Sequence, residues 1–194
     1  MENFVRPIAY IVGGIVLLKI TLKTLFPHVL NCIMKTIHSH LVGVKEQLFK
    51  EAFKHITTGS ERFEILEIGI GTGENFKNFP QNSNVTILDK TDKFMPYLQK
   101  SINANKRDDL KVSKLVLNHA ENMHSIESNS MDAVVHTFIL CSVKNSDTVL
   151  SEIHRVLKPG GVCVFIEHSV DTVVNRFFIS EAVVFNANIF GRVY

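Results

Sequence analysis

Three glycines at alternate positions follow a short apolar run, and this feature constrains the fold more than any other part of the chain. Residues 63–73 read FEILEIGIGTG, so Gly69, Gly71 and Gly73 come directly after a segment that suits a buried parallel strand. Residues 74–76 are predicted to open a helix. A strand, a glycine-rich turn and a helix in this order form a nucleotide-type site, because glycine lets a ligand approach the backbone closely.

Acidic residues surround this turn and separate it from a dinucleotide site. A dinucleotide fingerprint has glycine at its first, third and sixth positions, and the sixth position here is Glu74. Glu67 lies two residues before the first glycine, so a pyrophosphate would meet two carboxylates, which is unfavourable. A ligand that carries an ammonium and a sulfonium group would instead be stabilised by these carboxylates.

A further carboxylate follows the next predicted strand. Residues 84–88 are predicted to form a second parallel strand, and Asp89 comes at its carboxyl end. An acid at this place can accept hydrogen bonds from both ribose hydroxyls of a nucleoside. The glycine turn, Glu67 and Asp89 together resemble the class I S-adenosylmethionine-dependent methyltransferases. The resemblance implies S-adenosylmethionine as the cofactor, with Glu67 near its ammonium group through water.

The remaining pattern predicts an α/β fold, a Rossmann-like doubly wound parallel sheet in which five strand–helix units follow one another. The further predicted strands are residues 111–117, 133–138 and 162–167, and the predicted helices are residues 41–56, 93–103 and 148–157. Residues 169–194 are predicted to hold one more helical segment, at about 173–189. We therefore expect the sheet to lack the C-terminal antiparallel hairpin that closes complete class I domains.

Two groups of further candidate site residues lie near the predicted glycine turn. By the resemblance, the loop after the third strand packs against the adenine, with backbone groups around Ala120 and the side chain of Glu121 as contacts. A solvated loop acid is the alternative for Glu121. The carboxyl end of the fourth strand lies beside the glycine turn, at the switch point where ligands bind in doubly wound sheets.

The residues at that end of the fourth strand are therefore predicted to lie near the methyl group or the acceptor. They include His136, Thr137 and Cys141, although each of them could equally be a packing residue. His136 and His168 are the candidates for a catalytic base, if the reaction uses one.

Composition excludes several other classes of function. The chain has 194 residues, enough for one domain with a real core, and its net charge of +2 gives no support for nucleic-acid binding. Its three cysteines are odd in number and far apart, which predicts neither a disulfide framework nor a zinc site. The nine histidines show no metal-ligand spacing, so no metal is expected.

The N-terminal residues are unlike the rest of the chain. Ile8 to Leu18 form an uninterrupted apolar run that is too short to cross a bilayer unaided, since a crossing takes about 20 residues. A stretch from Phe4 to Phe26 is long enough but includes three cationic side chains, whose long stems can snorkel. A tilted span and an interfacial anchor both fit this pattern, and a buried helix is the alternative.

A signal peptide would need small residues at its cleavage site, which residues 24–28 do not supply. We therefore expect residues 1–28 to form a hydrophobic membrane anchor and residues 29–60 a helical lead-in. Residues 61–194 are then the methyltransferase domain, C-terminally incomplete.

Six segments together resemble the methyltransferase-like protein 7 family. They are residues 66–76 (LEIGIGTGENF), 85–89 (VTILD), 130–132 (SMD), 138–143 (FILCSV), 155–161 (RVLKPGG) and 167–168 (EH). The family consists of membrane-associated thiol S-methyltransferases of the endoplasmic reticulum and lipid droplets. The resemblance implies methyl transfer to small alkyl thiols. The number and spacing of the cysteines favour a reducing, cytosol-facing environment for the domain.

Two features depart from the family. Members usually have cysteine where Ile70 stands, and they continue beyond Tyr194 through closing strands. The second departure makes an inactive membrane-anchored remnant one alternative. A lipid or quinone C- or O-methyltransferase is the other, because an apolar anchor suits a lipid acceptor as well as an apolar thiol. The oligomeric state is left open by the sequence.

Overall fold

The computed structural model of the chain divides into two units, Met1–His40 and Leu41–Tyr194. The structure describes residues 41–54, 56, 61–170 and 177–186, together with residues 14, 16–22, 24–26, 28–29, 32–33, 36 and 39 of the first unit. Each described residue of the first unit is helical and exposed, while the first half of the predicted apolar run lies outside the described residues. Among the described residues, no helix is both long and apolar enough to cross a membrane.

The second unit contains one six-stranded sheet with helices on its faces. Its strands are β1 (Phe63–Ile68), β2 (Ser83–Asp89), β3 (Lys111–Leu117), β4 (Met131–Thr137), β5 (Leu157–Val170) and β6 (Phe177–Asn186). Its helices are α1 (Val42–Lys54), α2 (Met95–Ala104) and α3 (Ser146–Val156). The strand order is β3-β2-β1-β4-β5-β6, in which β1 to β5 are parallel and β6 is antiparallel to β5. The predicted Rossmann-like parallel sheet is confirmed.

Helix α3 covers one face of this sheet. Its first turn is capped by Asn145, whose side chain accepts a hydrogen bond from the backbone N–H of Thr148 at 3.0 Å. Its apolar stripe is fully buried against alternate residues of the central strands, because successive side chains of a strand point to opposite faces. The stripe and its partners include Val149, Ile153, Val156, Leu66, Ile68, Val134 and Cys163.

An aromatic cluster holds α1 on the region around β1. Phe49 of α1 stacks on Phe79 with ring centroids 6.0 Å apart, and Phe79 in turn lies 5.0 Å from Phe76. Phe53, one turn further along α1, meets Phe63 edge to face at 6.1 Å. Each such pair contributes about 0.5–1.5 kcal/mol beyond its buried area. The cluster therefore fixes α1 beside the segment that follows the glycine turn.

The segment after the glycine turn is not the helix that the sequence predicts. It forms a single 3₁₀ turn, Phe76–Asn78, after which Phe79 is extended with φ −69° and ψ 150°. Pro80 explains the early end, because the ring of a proline disfavours helical conformation at the preceding residue. Residues 118–130, between β3 and β4, also contain no helix. The prediction that five strands are each followed by a helix is therefore wrong for β1 and β3.

The predicted helix at about 173–189 is wrong, because Phe177–Asn186 is a strand. Six of these ten residues are aromatic or β-branched, which favours an extended conformation. Pairing with β5 also satisfies the backbone groups along one edge of the segment. The described residues thus contain one antiparallel strand at this end of the sheet in place of a closing pair.

Candidate cofactor site

The glycine turn lies at the carboxyl end of β1, between the ends of β2 and β4, which is the switch point of the sheet. Gly69, Gly71 and Gly73 all have positive φ angles, of 72°, 48° and 75°. The backbone N–H of Gly69 donates a hydrogen bond to the carbonyl of Leu88 at 2.8 Å, which ties the turn to β2. The three glycines therefore form a left-handed turn at the edge that the sequence predicts, and their contact with a cofactor stays a prediction.

The turn is tightly packed at its ends and open in its middle. A Cβ atom added at Gly69 would stand 2.0 Å from Cδ1 of Ile139, and one added at Gly73 would stand 2.8 Å from Cδ1 of Leu98. A Cβ added at Gly71 would meet no atom of the described residues within 4 Å. The space beside the backbone of Gly71 is thus open, and its use by a ligand stays a prediction.

Asp89 is the last residue of β2, and its carboxylate binds the backbone of the glycine turn. Its Oδ2 accepts a hydrogen bond from the backbone N–H of Ile70 at 3.1 Å, and its Oδ1 accepts one from Thr91 at 3.0 Å. Burial raises the pKa of Asp89, and these two hydrogen bonds oppose that rise. A carboxylate has about four acceptor positions, so each oxygen can still accept a ribose hydroxyl.

Glu67 is buried beside the turn and has one unused oxygen. Its Oε1 accepts a hydrogen bond from Nδ2 of Asn75 at 2.7 Å, while its Oε2 is buried without a partner among the described residues. Burial raises the pKa of Glu67 to about 8. An unpaired buried carboxyl oxygen is unfavourable, and a cationic ligand group would both pair with it and favour its ionised form. The site therefore fits a ligand with an ammonium group.

Sequence analysis missed two residues that support Glu67. Lys45 of α1 donates from Nζ to Oδ1 of Asn75 at 2.5 Å, and Nδ2 of Asn75 also donates to Oγ1 of Thr137 at 3.1 Å. A signal was present in the sequence. Lys45 lies four residues after Leu41 and four before Phe49, so it is a charged residue within the apolar stripe of a helix.

The predicted adenine loop is held to α3 by its acid. Oε1 of Glu121 accepts hydrogen bonds from the backbone N–H groups of Lys144 at 2.6 Å and Asn145 at 3.4 Å, and these bonds lower the pKa of Glu121. Ala120 is half-buried and packs against the hydrophobic core. The contact with Lys144 gives Glu121 a structural function, and the adenine contact of Ala120 and Glu121 stays a prediction.

His136 lies on the opposite face of the sheet from Glu67. It is 1% exposed, its ring stacks on Phe165 at 5.2 Å, and its neighbour on β1 is Ile68. Its Nδ1 is 2.8 Å from Oε1 of Glu167, and its Nε2 is buried without a partner in the described part of the chain. The structure therefore places His136 in the core below the site, and its role as a base stays a prediction.

Glu167 also binds the loop that leaves β4. The same Oε1 accepts hydrogen bonds from the backbone N–H groups of Ile139 at 2.9 Å and Leu140 at 3.2 Å. Phe138, at the start of this loop, has φ 58°, which is unusual for a bulky residue and typical of functional sites. The loop therefore takes a strained path beside Gly69.

Two further predicted residues have less defined positions. Cys141 is exposed in the 3₁₀ turn Leu140–Ser142, with Sγ 3.7 Å from the carbonyl of Phe138. His168 lies in β5, but its side chain is outside the described residues.

Comparison with known proteins shows similarity to methyltransferases. Residues 66–165 match the family model described as a methyltransferase domain. The thiol S-methyltransferase TMT1A of Homo sapiens is 38% identical over 146 residues, which are 75% of this chain and 59% of that protein. The thiol S-methyltransferase TMT1B of Rattus norvegicus is 36% identical over 146 residues, again 75% of this chain and 59% of that protein. The chain thus spans about three fifths of the length of these relatives.

A demethylmenaquinone methyltransferase of Oceanobacillus iheyensis is 43% identical over 75 residues, 38% of this chain and 32% of that protein. Among solved structures, a SAM-dependent methyltransferase from Aquifex aeolicus is similar with a TM-score of 0.51 at 19% identity, over 66% of this chain and 65% of that chain. The cyclase SpnF is similar with a TM-score of 0.51 at 18% identity, over 66% of this chain and 47% of that chain. A cyclase among these structures shows that such likeness defines the fold and not the reaction.

The family and the fold imply S-adenosylmethionine as the cofactor, and three features of the site fit it. The backbone at Gly71 is open, Asp89 has acceptor positions left, and Oε2 of Glu67 is buried and unpaired. This chain belongs to the methyltransferase domain family and has the class I S-adenosylmethionine-dependent methyltransferase fold.

Proposed function

We propose that this chain is an S-adenosylmethionine-dependent methyltransferase whose acceptors are small alkyl thiols. One observation supports the assignment of S-adenosylmethionine as the cofactor. The open glycine turn lies between a ribose-type acceptor, Asp89, and a buried carboxylate, Glu67, whose Oε2 has no partner among the described residues. The thiol acceptor is supported by identity of 36–38% to thiol S-methyltransferases over 75% of this chain.

The residues of the site hold and orient the cofactor. Asp89 accepts the ribose hydroxyls, Glu67 faces the ammonium group, and the backbone around Gly71 allows close approach. When bound, S-adenosylmethionine supplies a sulfonium methyl group that a thiolate accepts. The proton of the thiol passes to solvent, and S-adenosylhomocysteine is the second product. Positioning of two reactants can lower a barrier by about 7–11 kcal/mol.

A protein base is not needed for this reaction. A free thiol has a pKa of about 8.5, so a few per cent of it is ionised near pH 7, and the thiolate is a strong nucleophile. His136 is 1% exposed and its Nδ1 lies 2.8 Å from Glu167, so we propose that it acts through Glu167 instead of taking the thiol proton.

The acceptor is tested with a matched pair of compounds. The full chain is incubated with methyl-labelled S-adenosylmethionine and either an alkyl thiol or the alcohol of the same carbon skeleton. We expect labelled methyl thioether from the thiol, at a rate that rises with pH as the thiolate fraction grows, and no ether from the alcohol. Equal products from both compounds, or product from neither, would contradict a thiol methyltransferase.

A second candidate function is methylation of a lipid-soluble quinone. The 43% identity to a demethylmenaquinone methyltransferase favours it, although this covers 38% of the chain. Vesicles that contain demethylmenaquinone serve as the third acceptor in the same assay. Methylated quinone without thioether product would replace the thiol proposal, and cofactor binding without any methylated product would indicate an inactive binding protein.

We further propose that residues 1–28 attach the protein to the cytosolic face of the endoplasmic reticulum, with lipid droplets as a second location. The described apolar side chains of this unit are exposed, among them Leu17 at 65% and Phe26 at 59%. The hydroxyls of Thr21 and Thr24 donate to helix carbonyls at 2.9 and 3.1 Å, so their donors are satisfied without water.

The location is tested by fractionation of cells that express the full chain or a variant without residues 1–28. We expect the full chain in the membrane fraction after alkaline carbonate extraction and the shortened chain in the supernatant. Equal distribution of the two proteins would contradict the anchor.

A further inference from the structure

We propose that Lys45 is a positioning residue for the methionine end of the cofactor. It holds the side-chain amide of Asn75, which in turn holds Glu67 so that Oε2 is presented to the ligand's ammonium group. This inference rests on the proposed cofactor site, and it assigns a function in that site to a residue of α1.

A chain of three hydrogen bonds connects these residues. Nζ of Lys45 donates to Oδ1 of Asn75 at 2.5 Å, and Nδ2 of Asn75 donates to Oε1 of Glu67 at 2.7 Å and to Oγ1 of Thr137 at 3.1 Å. An ammonium group can only donate, so Lys45 requires that Oδ1 of Asn75 faces it. Nδ2 of Asn75 therefore faces Oε1 of Glu67, and Oε2 is the oxygen that Glu67 leaves unpaired.

The burial of this chain indicates a function beyond packing. Lys45 and Glu67 are each 1% exposed and Asn75 is 4% exposed. Burying a charged pair is unfavourable, and well-packed apolar residues in its place are often neutral or stabilising. A lysine in the apolar stripe of α1 is thus a poor choice for stability alone, whereas it is a suitable donor for the Asn75 amide.

Electrostatics gives Lys45 a second effect on Glu67. Burial raises the pKa of Glu67 to about 8, and the positive charge of Lys45 opposes this rise. Burial lowers the pKa of Lys45 to about 8, while Glu67 and Glu74 raise it and Lys77 lowers it. Lys45 therefore favours the ionised form of Glu67, which is the form that accepts a hydrogen bond from an ammonium group.

Two ligands that differ at the methionine end provide the test. S-Adenosylhomocysteine has the ammonium group, whereas 5′-methylthioadenosine has the same nucleoside and thioether without it. Binding of each is measured by calorimetry on the full-length wild-type chain and on Lys45→Met and Lys50→Met. Lys50 is an exposed lysine of the same helix, so its substitution is the matched control.

We expect Lys45→Met to weaken S-adenosylhomocysteine about tenfold, the effect of one charged hydrogen bond, and to leave 5′-methylthioadenosine within about twofold. Lys45→Arg, which keeps a charged donor, should recover most of the affinity, and Lys50→Met should match wild type. An equal loss for both ligands would indicate a structural role only and would overturn the inference, as would unchanged affinity for both.

Two further outcomes are separated by the design. Absence of S-adenosylhomocysteine binding by the wild-type chain would overturn the proposed function itself, before any variant is compared. If circular dichroism shows that Lys45→Met is unfolded, Asn75→Ala breaks the same connection without removing the lysine. Asn75→Ala should show the same selective loss for S-adenosylhomocysteine, and equal affinities of wild type and Asn75→Ala for both ligands would overturn the inference.

Discussion

His136 and Glu167 form a buried hydrogen bond, with 2.8 Å between Nδ1 and Oε1, on the face of the sheet that packs against α3. The same Glu167 oxygen accepts two backbone N–H groups from the loop after β4, at 2.9 and 3.2 Å. This loop lies against Gly69, because a Cβ there would stand 2.0 Å from Ile139. His136 is thereby connected to the glycine turn through Glu167 and the loop after β4.

This connection predicts different results for two substitutions of His136. Asparagine can place an N–H near the position of Nδ1, so His136→Asn should keep methyl transfer within about threefold of wild type. His136→Phe loses the donor and should lower the free energy of unfolding by about 1–3 kcal/mol. Urea denaturation and initial rates measure both effects. A catalytic base at His136 would instead make both variants slower by about 10²–10⁴-fold with stability retained in His136→Asn.

The glycine turn predicts unequal effects of alanine at two positions. Gly71→Ala meets open space, so it should cost about 1–2 kcal/mol through its positive φ alone. Gly69→Ala adds a clash with Ile139 and should be clearly more destabilising in urea denaturation.

Ile139→Ala combined with Gly69→Ala removes the clash but not the backbone strain. The double variant should therefore lose less stability than the sum of the two single variants. Simple additivity would show that the Gly69–Ile139 contact does not determine the path of the turn.

The cysteines should differ in reactivity. Burial, with a smaller contribution from the nearby charge of Glu167, raises the pKa of the Cys163 thiol to about 12. Cys163 therefore carries almost no thiolate at pH 8, while Cys141 is exposed. We expect iodoacetamide to alkylate Cys141 in the folded protein and Cys163 only after unfolding, as read by mass spectrometry of peptides. Alkylation of both at the same rate would contradict the burial of β5.

Glu67 and Lys45 together predict a minimum in stability near pH 8. Burial raises the pKa of Glu67 from 4.5 to about 8, so the folded state binds more protons between these values and stability falls as pH rises. Burial lowers the pKa of Lys45 from 10.5 to about 8, so stability rises again from pH 8 to pH 10.5.

Urea denaturation at pH 5, 8 and 10 measures this profile. Glu67→Gln should remove the decline between pH 5 and pH 8, because its side chain does not titrate. A profile of Glu67→Gln parallel to that of wild type would show that Glu67 is ionised in the folded protein throughout this range.

The sequence was sufficient for the parts of the fold that depend on local pattern. The apolar run before Gly69, Asp89 after the next strand and the periodicity of α3 each predict an element that the structure contains. These features are readable because glycine, strand alternation and helical spacing each leave a signal within a few residues.

The parts that depended on tertiary contacts were not predictable in this way. Residues 177–186 lie within the predicted helix at about 173–189, and their aromatic and β-branched side chains together with the pairing to β5 favour a strand. Lys45 and Asn75 are 30 residues apart, and only the packing of α1 beside the glycine turn brings them together. Both faces of β4 are buried, and the sheet register decides that His136 lies on the side opposite to Glu67.

The central claim is that the edge formed by the glycine turn and Asp89 binds S-adenosylmethionine. The most direct measurement is calorimetry of S-adenosylmethionine on the full chain, on Asp89→Ala and on Asp92→Ala, where Asp92 is an exposed aspartate of the following loop. We predict that the full chain binds, that Asp92→Ala binds equally, and that Asp89→Ala loses at least about tenfold in affinity, as expected for lost hydrogen bonds to a charged group. Equal affinity of Asp89→Ala and the unmodified chain, or no binding by the unmodified chain, would contradict the account.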